Sequence, residues 1–287
     1  MEKDWKLDIV FSDSVAIFRG HVGPNNPHSH WASQLTIALE GELEFEAGNS
    51  GRRHARAVFL SSKVKHRLFS GYVCSIYFDP LTVSPLKALG QARGKDWRGL
   101  TEGELPAPLR ELSASSDLHA LLASDLLLGA ESDAALDPRF RDIVDAITTQ
   151  LRAGEDPDRD ALAKKANLSP SRFSHWFVEQ AGIPLRSYKK WLKLRMAMDA
   201  LLDGINPMDA AMQAGFSDLP HMSRAFAESF GLTYMDALHA WQQAHQSYLF
   251  RSIRLLPSSL VLPHTVTVIL VEKRVVAITH EKGQERA

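Results

Sequence analysis

Four side chains in the first quarter of the chain have the types and spacing of a binding site. His28 and His30 flank Ser29, Gln34 follows four residues after His30, Gly41 seven after that, and His66 stands at the end of the next pair of strands. Two histidines at i and i+2 share one face of a strand. With Gln34 and His66 on neighbouring strands, these rings can hold a divalent metal, because imidazole suits zinc, copper, iron and nickel. The same side chains, set among apolar ones, can instead orient a small organic molecule in a pocket. They can also be structural, with His28 fixed by the Pro24-Asn25-Asn26-Pro27 turn. His28, His30, Gln34 and His66 are read here as ligand-binding residues, without a resident metal or cofactor and without a catalytic group.

A second set of polar residues lies downstream, and charge distribution sets it apart. The 287 residues sum to a net charge of -1, yet Ala161 to Arg195 holds eight cations against Glu179 alone, a local +7. Residues 1 to 138 hold 14 cations and 18 anions, a balance that does not favour a phosphate backbone. The basic block predicts a surface for double-stranded DNA. Lys189, Lys190 and Lys193, with Arg172, are expected to attract phosphates, while Ser171, Ser174, His175, His221, Ser223 and Arg224 are placed to meet base edges or backbone in a groove.

The elements that must position these residues fall into two classes. From Val15 to Phe78 short alternating runs, such as Leu35-Thr36-Ile37-Ala38-Leu39, are punctuated by Gly41, Gly48 and Gly51. Turns about ten residues apart predict an antiparallel β-barrel or jelly roll. Pro80 to Gly103 reads as a connection. Leucines at 109, 112, 118, 121, 122 and 126 then recur at helical spacing, as domain core or as the seam of a homodimer. Asp137-Pro138 opens a further helix with Phe140, Ile143, Val144, Ile147 and Leu151 on one face, ended by Gly154 and Pro157. Val- and Thr-rich alternation from Leu260 to Thr279 predicts a terminal β-hairpin turning at Glu272-Lys273-Arg274. The single cysteine, Cys74, excludes internal disulfides and reads as a packing residue. With no secretory signal and no apolar span of about 18 residues, the expected location is the cytoplasm, with no membrane partner.

Between these helices the same local pattern occurs twice. Asp158 caps a short helix with Leu162, Ala163 and Ala166, Asn167 turns the chain, and Ser169 caps a second helix carrying Phe173, Trp176 and Phe177. Two helices crossing near a right angle need a small residue at closest approach and a left-handed residue in the turn. Some fifty residues later Ala211, Gly215, Phe216, Met222, Ala225 and Phe226 repeat the order, with one extra residue in the turn. Pro184 to Leu202 forms one helix between the copies; at about 1.5 Å per residue it is roughly 28 Å long, against ~34 Å for one turn of DNA.

The run Ser169-Pro170-Ser171-Arg172-Phe173-Ser174-His175-Trp176-Phe177, with Gly215-Phe216-Ser217-Asp218 and Ser223-Arg224-Ala225-Phe226, resembles the AraC/XylS family over about 100 residues. The histidine spacing resembles the first motif of cupins, a barrel also used by sensor domains of that family. The resemblance implies an α+β chain: a cupin-like antiparallel barrel (1–90), connecting helices with a possible dimer seam (91–136), an all-α domain with two helix-turn-helix units joined by a long helix (137–245), and an extension (246–287). It implies a transcription regulator that binds DNA and a small-molecule effector as a homodimer, with RNA polymerase a further candidate partner. The rival classes are a metal-binding cupin sensor or enzyme, and a scaffold that has lost DNA binding. Pro207, Ala210 and the Tyr234-Met235-Asp236-Ala237-Leu238 ending depart from the family pattern and predict a less well packed second unit.

Overall fold

The computed structural model describes residues 6–12, 14–91, 96–127, 137–231, 233–239, 266–271 and 274–279. Two units separate, residues 1–244 and 245–287. In the second, strands β10 (Val266–Val271) and β11 (Arg274–Thr279) pair antiparallel in the register Val271 opposite Arg274, as a hairpin requires. Two residues of the expected turn, 272 and 273, lie outside the described residues.

The first unit begins with β1 (Lys6–Phe11), β2 (Val15–Val22), β3 (Ser33–Ala38), β4 (Leu43–Ala47), β5 (Arg52–Ala55), β6 (Ala57–Leu60), β7 (His66–Leu68), β8 (Gly71–Phe78), helix α1 (Pro85–Gln91) and β9 (Trp97–Leu100). All pairings are antiparallel, in a six-stranded sheet ordered β1-β2-β8-β3-β6-β9 and a three-stranded sheet ordered β5-β4-β7. Strand alternation divides the large sheet into two faces. Val58, Leu60 and Val73 meet Leu43, Phe45 and Leu68 of the small sheet in one core. Leu35, Ile37, Phe59, Cys74, Ile76 and Phe78 form another core on the opposite face.

That opposite face corrects one expectation and bears on another. The stretch after Pro80 is more than a connection: it supplies α1, and β9 pairs with β6 to extend the sheet. The helical pieces α2 (Ala107–Arg110) and α3 (Leu118–Leu122) are short, and Leu109, Leu112, Leu118, Leu121 and Leu127 are buried against the sheet. These leucines therefore pack into the domain's own core, one of the two expected roles, with Leu122 and Leu126 half-buried against it. Cys74 is packed as expected, and burial pushes its thiol up to about 12.

The all-α part follows as α4 (Pro138–Arg152), α5 (Arg159–Lys165), α6 (Pro170–Ala181), α7 (Leu185–Leu202), α8 (Pro207–Gln213), α9 (Leu219–Phe230) and a helical stretch at 234–239. Side-chain caps mark the starts of α4, α5, α6, α8 and α9. Asp137, Asp158, Ser169, Asn206 and Asp218 accept backbone N–H groups as caps, and proline opens α4, α6 and α8 where its missing donor costs nothing. Phe140, Ile143, Ile147 and Leu151 turn inward with Phe173 and Phe177. The second helix pair, α8 and α9, has a core of its own, with Ala210, Ala211, Met222, Ala225 and Phe226 buried. Pro207 and Ala210 thus fit, as the first helical residue and a close-approach residue, and the expected packing defect is absent there.

Candidate functional site

The two helical pairs share one turn geometry. Asn167 (φ 54) and Gly215 (φ 76) both adopt the left-handed conformation, which asparagine tolerates and glycine adopts without steric cost. Just beyond them, Leu168 N donates to Ala163 O at 2.9 Å, and Phe216 N to Ala211 O at 3.0 Å. The extra residue falls between this bond and the start of α9, as the spacing predicts. On α6, Ser171, Arg172 and His175 are exposed, while Ser174 is half-buried with its Oγ donating to Pro170 O at 3.0 Å. On α9, His221 and Arg224 are exposed and Ser223 is half-buried. His221 Nδ1 lies 3.0 Å from Ser217 Oγ, which fixes the ring beside the helix start.

The three lysines behave differently from the expectation. Lys189 Nζ donates to Asp156 Oδ2 at 2.8 Å and to Pro157 O at 2.9 Å, and Lys193 Nζ to Asp156 Oδ1 at 3.1 Å and to Gly215 O at 2.9 Å. Their side chains are only 17% and 18% exposed. They brace α7 against the loop before α5 and the turn before α9, so Lys189 and Lys193, expected as phosphate contacts, serve as struts in this structure. Lys190 pairs with Glu228 at 2.6 Å and is 42% exposed. Sequence reasoning passed over Asp156 because its partners are 33 and 37 residues away. It also passed over Arg139, whose guanidinium lies 4.5 Å over the Trp176 ring.

The histidines come together as their spacing suggested, though not on one strand. His28 and His66 form an isolated antiparallel bridge, exchanging backbone hydrogen bonds of 3.0 and 2.9 Å. One ring nitrogen from each of His28, His30 and His66 lies within 4.8 Å of the others, and all three residues are buried. Each Nδ1 sits against a backbone carbonyl: Asn26 O at 2.9 Å for His28, Ala32 O at 2.8 Å for His30 and Val64 O at 2.8 Å for His66. Gln34 lies behind His30, its Oε1 3.0 Å from Nε2, and a buried polar chain continues through Thr36 to Ser75. Burial lowers the pKa of all three rings, His28 to about 4, with the neighbouring rings adding to the effect for His28 and His66. The imidazoles are therefore neutral at pH 7.

Comparison with known proteins decides what the helical pairs are. Residues 162–238 match the family model described as a helix-turn-helix domain. These residues form a helix-turn-helix domain of the AraC type. Over 46 residues the chain is 44% identical to YbfI of Bacillus subtilis strain 168, described as an uncharacterized HTH-type transcriptional regulator; the match covers 16% of this chain and 17% of that protein. This chain thus aligns with less than a fifth of that curated relative's length. Across both parts the fold is similar to crystalline ToxT from Vibrio cholerae strain SCE256 bound to an unsaturated fatty acid, with a TM-score of 0.51 at 11% identity, covering 81% of this chain and 97% of that one.

The helix-turn-helix domain meets the histidines directly. Asn26 N donates to Gly231 O at 3.3 Å, and Phe230, the last residue of α9, packs its ring near those of His30, Tyr77, Phe18 and Trp191. At the end of β8, buried Asp79 accepts from Trp191 Nε1 of α7 at 2.7 Å and faces Arg195 at 3.8 Å. Between these contacts a cleft of about 500 Å³ opens, lined by His28, His30, Trp31 and Lys65 from loops of the β-rich part and by Lys190, Trp191 and Glu228 from α7 and α9. Of the four residues expected to bind a ligand, His28 and His30 line this cleft. The space between the sheets is filled by Phe45, Leu60 and their neighbours. Among the described residues no helix is long and apolar enough to cross a membrane.

Proposed function

We propose that the chain is a sequence-specific transcription regulator, not an enzyme, that acts in the cytoplasm by gripping double-stranded DNA with α6 and α9 and responds to a small effector in the cleft at the barrel mouth. The observation that carries this reading is the doubled helix-turn-helix geometry, with equivalent turns and capped second helices. Ser171, Arg172, Ser174 and His175 on α6, and His221, Ser223 and Arg224 on α9, are the proposed contacts. Lys190 supplies attraction to phosphates. Self-association and contact with RNA polymerase belong to the same reading, without the leucines of α2 and α3. An effector seated between His30 and Trp191 touches both parts of the molecule. It shifts DNA affinity by its different affinity for two arrangements of those parts.

Titration of the full-length chain against a pool of random duplexes at several salt concentrations tests this. Arg172→Ala and Lys190→Ala should each weaken binding to all sequences and lower the salt slope by about one unit for each phosphate no longer neutralised. Absence of duplex binding at low salt would overturn the reading.

A further inference from the structure

The two recognition helices start with different chemistry. Counted from their caps, Ser169 and Asp218, the third residue is Arg172 in α6 and His221 in α9, both exposed. Arginine brings only donors, whereas a neutral imidazole has one N–H and one lone pair and can present either. Three contacts hold His221. Its ring meets the buried Phe216 ring in a T-shaped contact with 5.3 Å between centroids, its Nδ1 lies 3.0 Å from Ser217 Oγ, and its backbone N donates to Asp218 Oδ1 at 2.6 Å. The other carboxylate oxygen, Asp218 Oδ2, accepts the Ser217 hydroxyl at 3.1 Å. The bond from the His221 backbone N–H, then Ser217 and Arg224, hold this carboxyl below its ordinary range, so it is ionised at pH 7 and can only accept. The single Ser217 hydroxyl hydrogen is thereby committed to Asp218. Ser217 Oγ is left to accept, the imidazole N–H falls on Nδ1, and Nε2 of this exposed ring carries the lone pair.

We propose that the Asp218–Ser217–His221 relay makes His221 the specificity-determining residue of α9, its Nε2 accepting from an exocyclic amino group, cytosine N4 above all, in the major groove. The inference rests on the regulator reading above and deepens it by naming the base that α9 meets. In that groove cytosine presents only a donor, and adenine presents its amino group beside the acceptor N7. Guanine N7 and O6 and thymine O4 are acceptors, which would face the lone pair unpaired. Ser217 and Asp218 act through the ring, as positioning residues that decide which nitrogen carries the proton. The Phe216 contact and the bond at Nδ1 also set the ring before DNA arrives, which lowers the ordering cost of the contact. In α6 the cap is a serine hydroxyl, Ser169 Oγ, accepting from Arg172 N at 3.4 Å, and the guanidinium offers donors alone. The two helices thus present opposite hydrogen-bonding characters to the groove.

Two measurements on the full-length chain test this, both in mildly alkaline buffer, where imidazole is neutral. Proton–nitrogen correlation spectra of protein carrying isotope-labelled histidine, with the His221 signals identified by their loss in His221→Ala, report the tautomer without DNA. A proton on Nδ1 is expected; one on Nε2 overturns the relay. Selection of bound duplexes from a random pool then reads base preference. The wild-type chain should favour cytosine over guanine at one position by at least about fivefold, and His221→Ala should erase that preference while leaving the other positions unchanged. Asp218→Asn keeps a capping oxygen but turns an amide N–H toward Ser217 Oγ, so the hydroxyl donates to Nδ1 and the imidazole carries its proton on Nε2 instead. Its preference at that position should invert towards guanine, which a merely structural role for Asp218 would not produce. Ser217→Ala should flatten it. Loss of affinity for all sequences alike in His221→Ala, or an unaltered preference in Asp218→Asn, overturns the base assignment and leaves the regulator reading standing. A chain with the expected tautomer that binds no duplex keeps the relay and removes both the base assignment and the regulator reading.

Discussion

Gly182 and Gly231 end the two recognition helices with the same left-handed cap, at φ 68 and 69. Their surroundings differ. A Cβ on Gly182 would meet nothing within 4 Å, whereas one on Gly231 would collide with His28 and Asn26. In α6 the glycine serves the helix alone. In α9 it also lets the barrel's histidine loop approach the helix end. Two units with one local design are therefore held differently, and through its C-cap the second carries contact with the histidines.

The largest effect should come from breaking that asymmetry. Gly182→Ala is expected to lose about 1 kcal/mol, the cost of a left-handed alanine. Gly231→Ala adds overpacking against His28 and should lose about 3 kcal/mol. Urea unfolding of the two variants checks this, and equal losses would mean that the loop yields freely.

The next largest concerns Asp79, which ties the sheet to α7. Asp79→Ala leaves the Trp191 indole N–H buried without its acceptor and should cost about 2 kcal/mol. Burial holds the Asp79 carboxyl above the ordinary carboxylate range against the pull of Arg195. The folded state thus binds this proton more tightly than the unfolded chain does. Its contribution to stability is present below the unfolded pKa and declines as pH rises through the raised value. Asp79→Asn, which keeps an acceptor for Trp191, should abolish that decline and stay within about 1 kcal/mol of wild type at pH 7. Denaturation at a series of pH values would show whether it does.

The smallest stability effect is expected at Asp156. Burial pushes its carboxyl up, but Lys189 and Lys193 outweigh this and hold it below the ordinary range. The pair's contribution is thus present above the unfolded pKa and lost as pH falls through the folded one. Because Asp156 is 63% exposed, Asp156→Ala should cost less than about 1 kcal/mol. It frees two cations, however, so duplex affinity and its salt slope should rise; a lower slope would contradict the strut assignment.

Local rules made much of the helical domain legible in the sequence. Caps at Asp137, Asp158 and Ser169, the left-handed Asn167 and the repeated Ala-to-Phe spacing depend on hydrogen bonds spanning only a few residues, so residue types and intervals suffice to specify them. The grouping of His28, His30 and His66 was also legible from their spacing, although His28 and His30 stand in the loop before β3 and not on a strand face as expected. Only the tertiary structure decided which cations are already paired, that the leucines from 109 to 127 cover the sheet, that β9 joins its edge, and that Gly231 rests on His28. Each of these joins residues far apart in the chain, with Trp191 and Asp79 separated by 112 positions. No short-range period encodes such a contact; it follows from which faces remain to be covered once the local elements have formed.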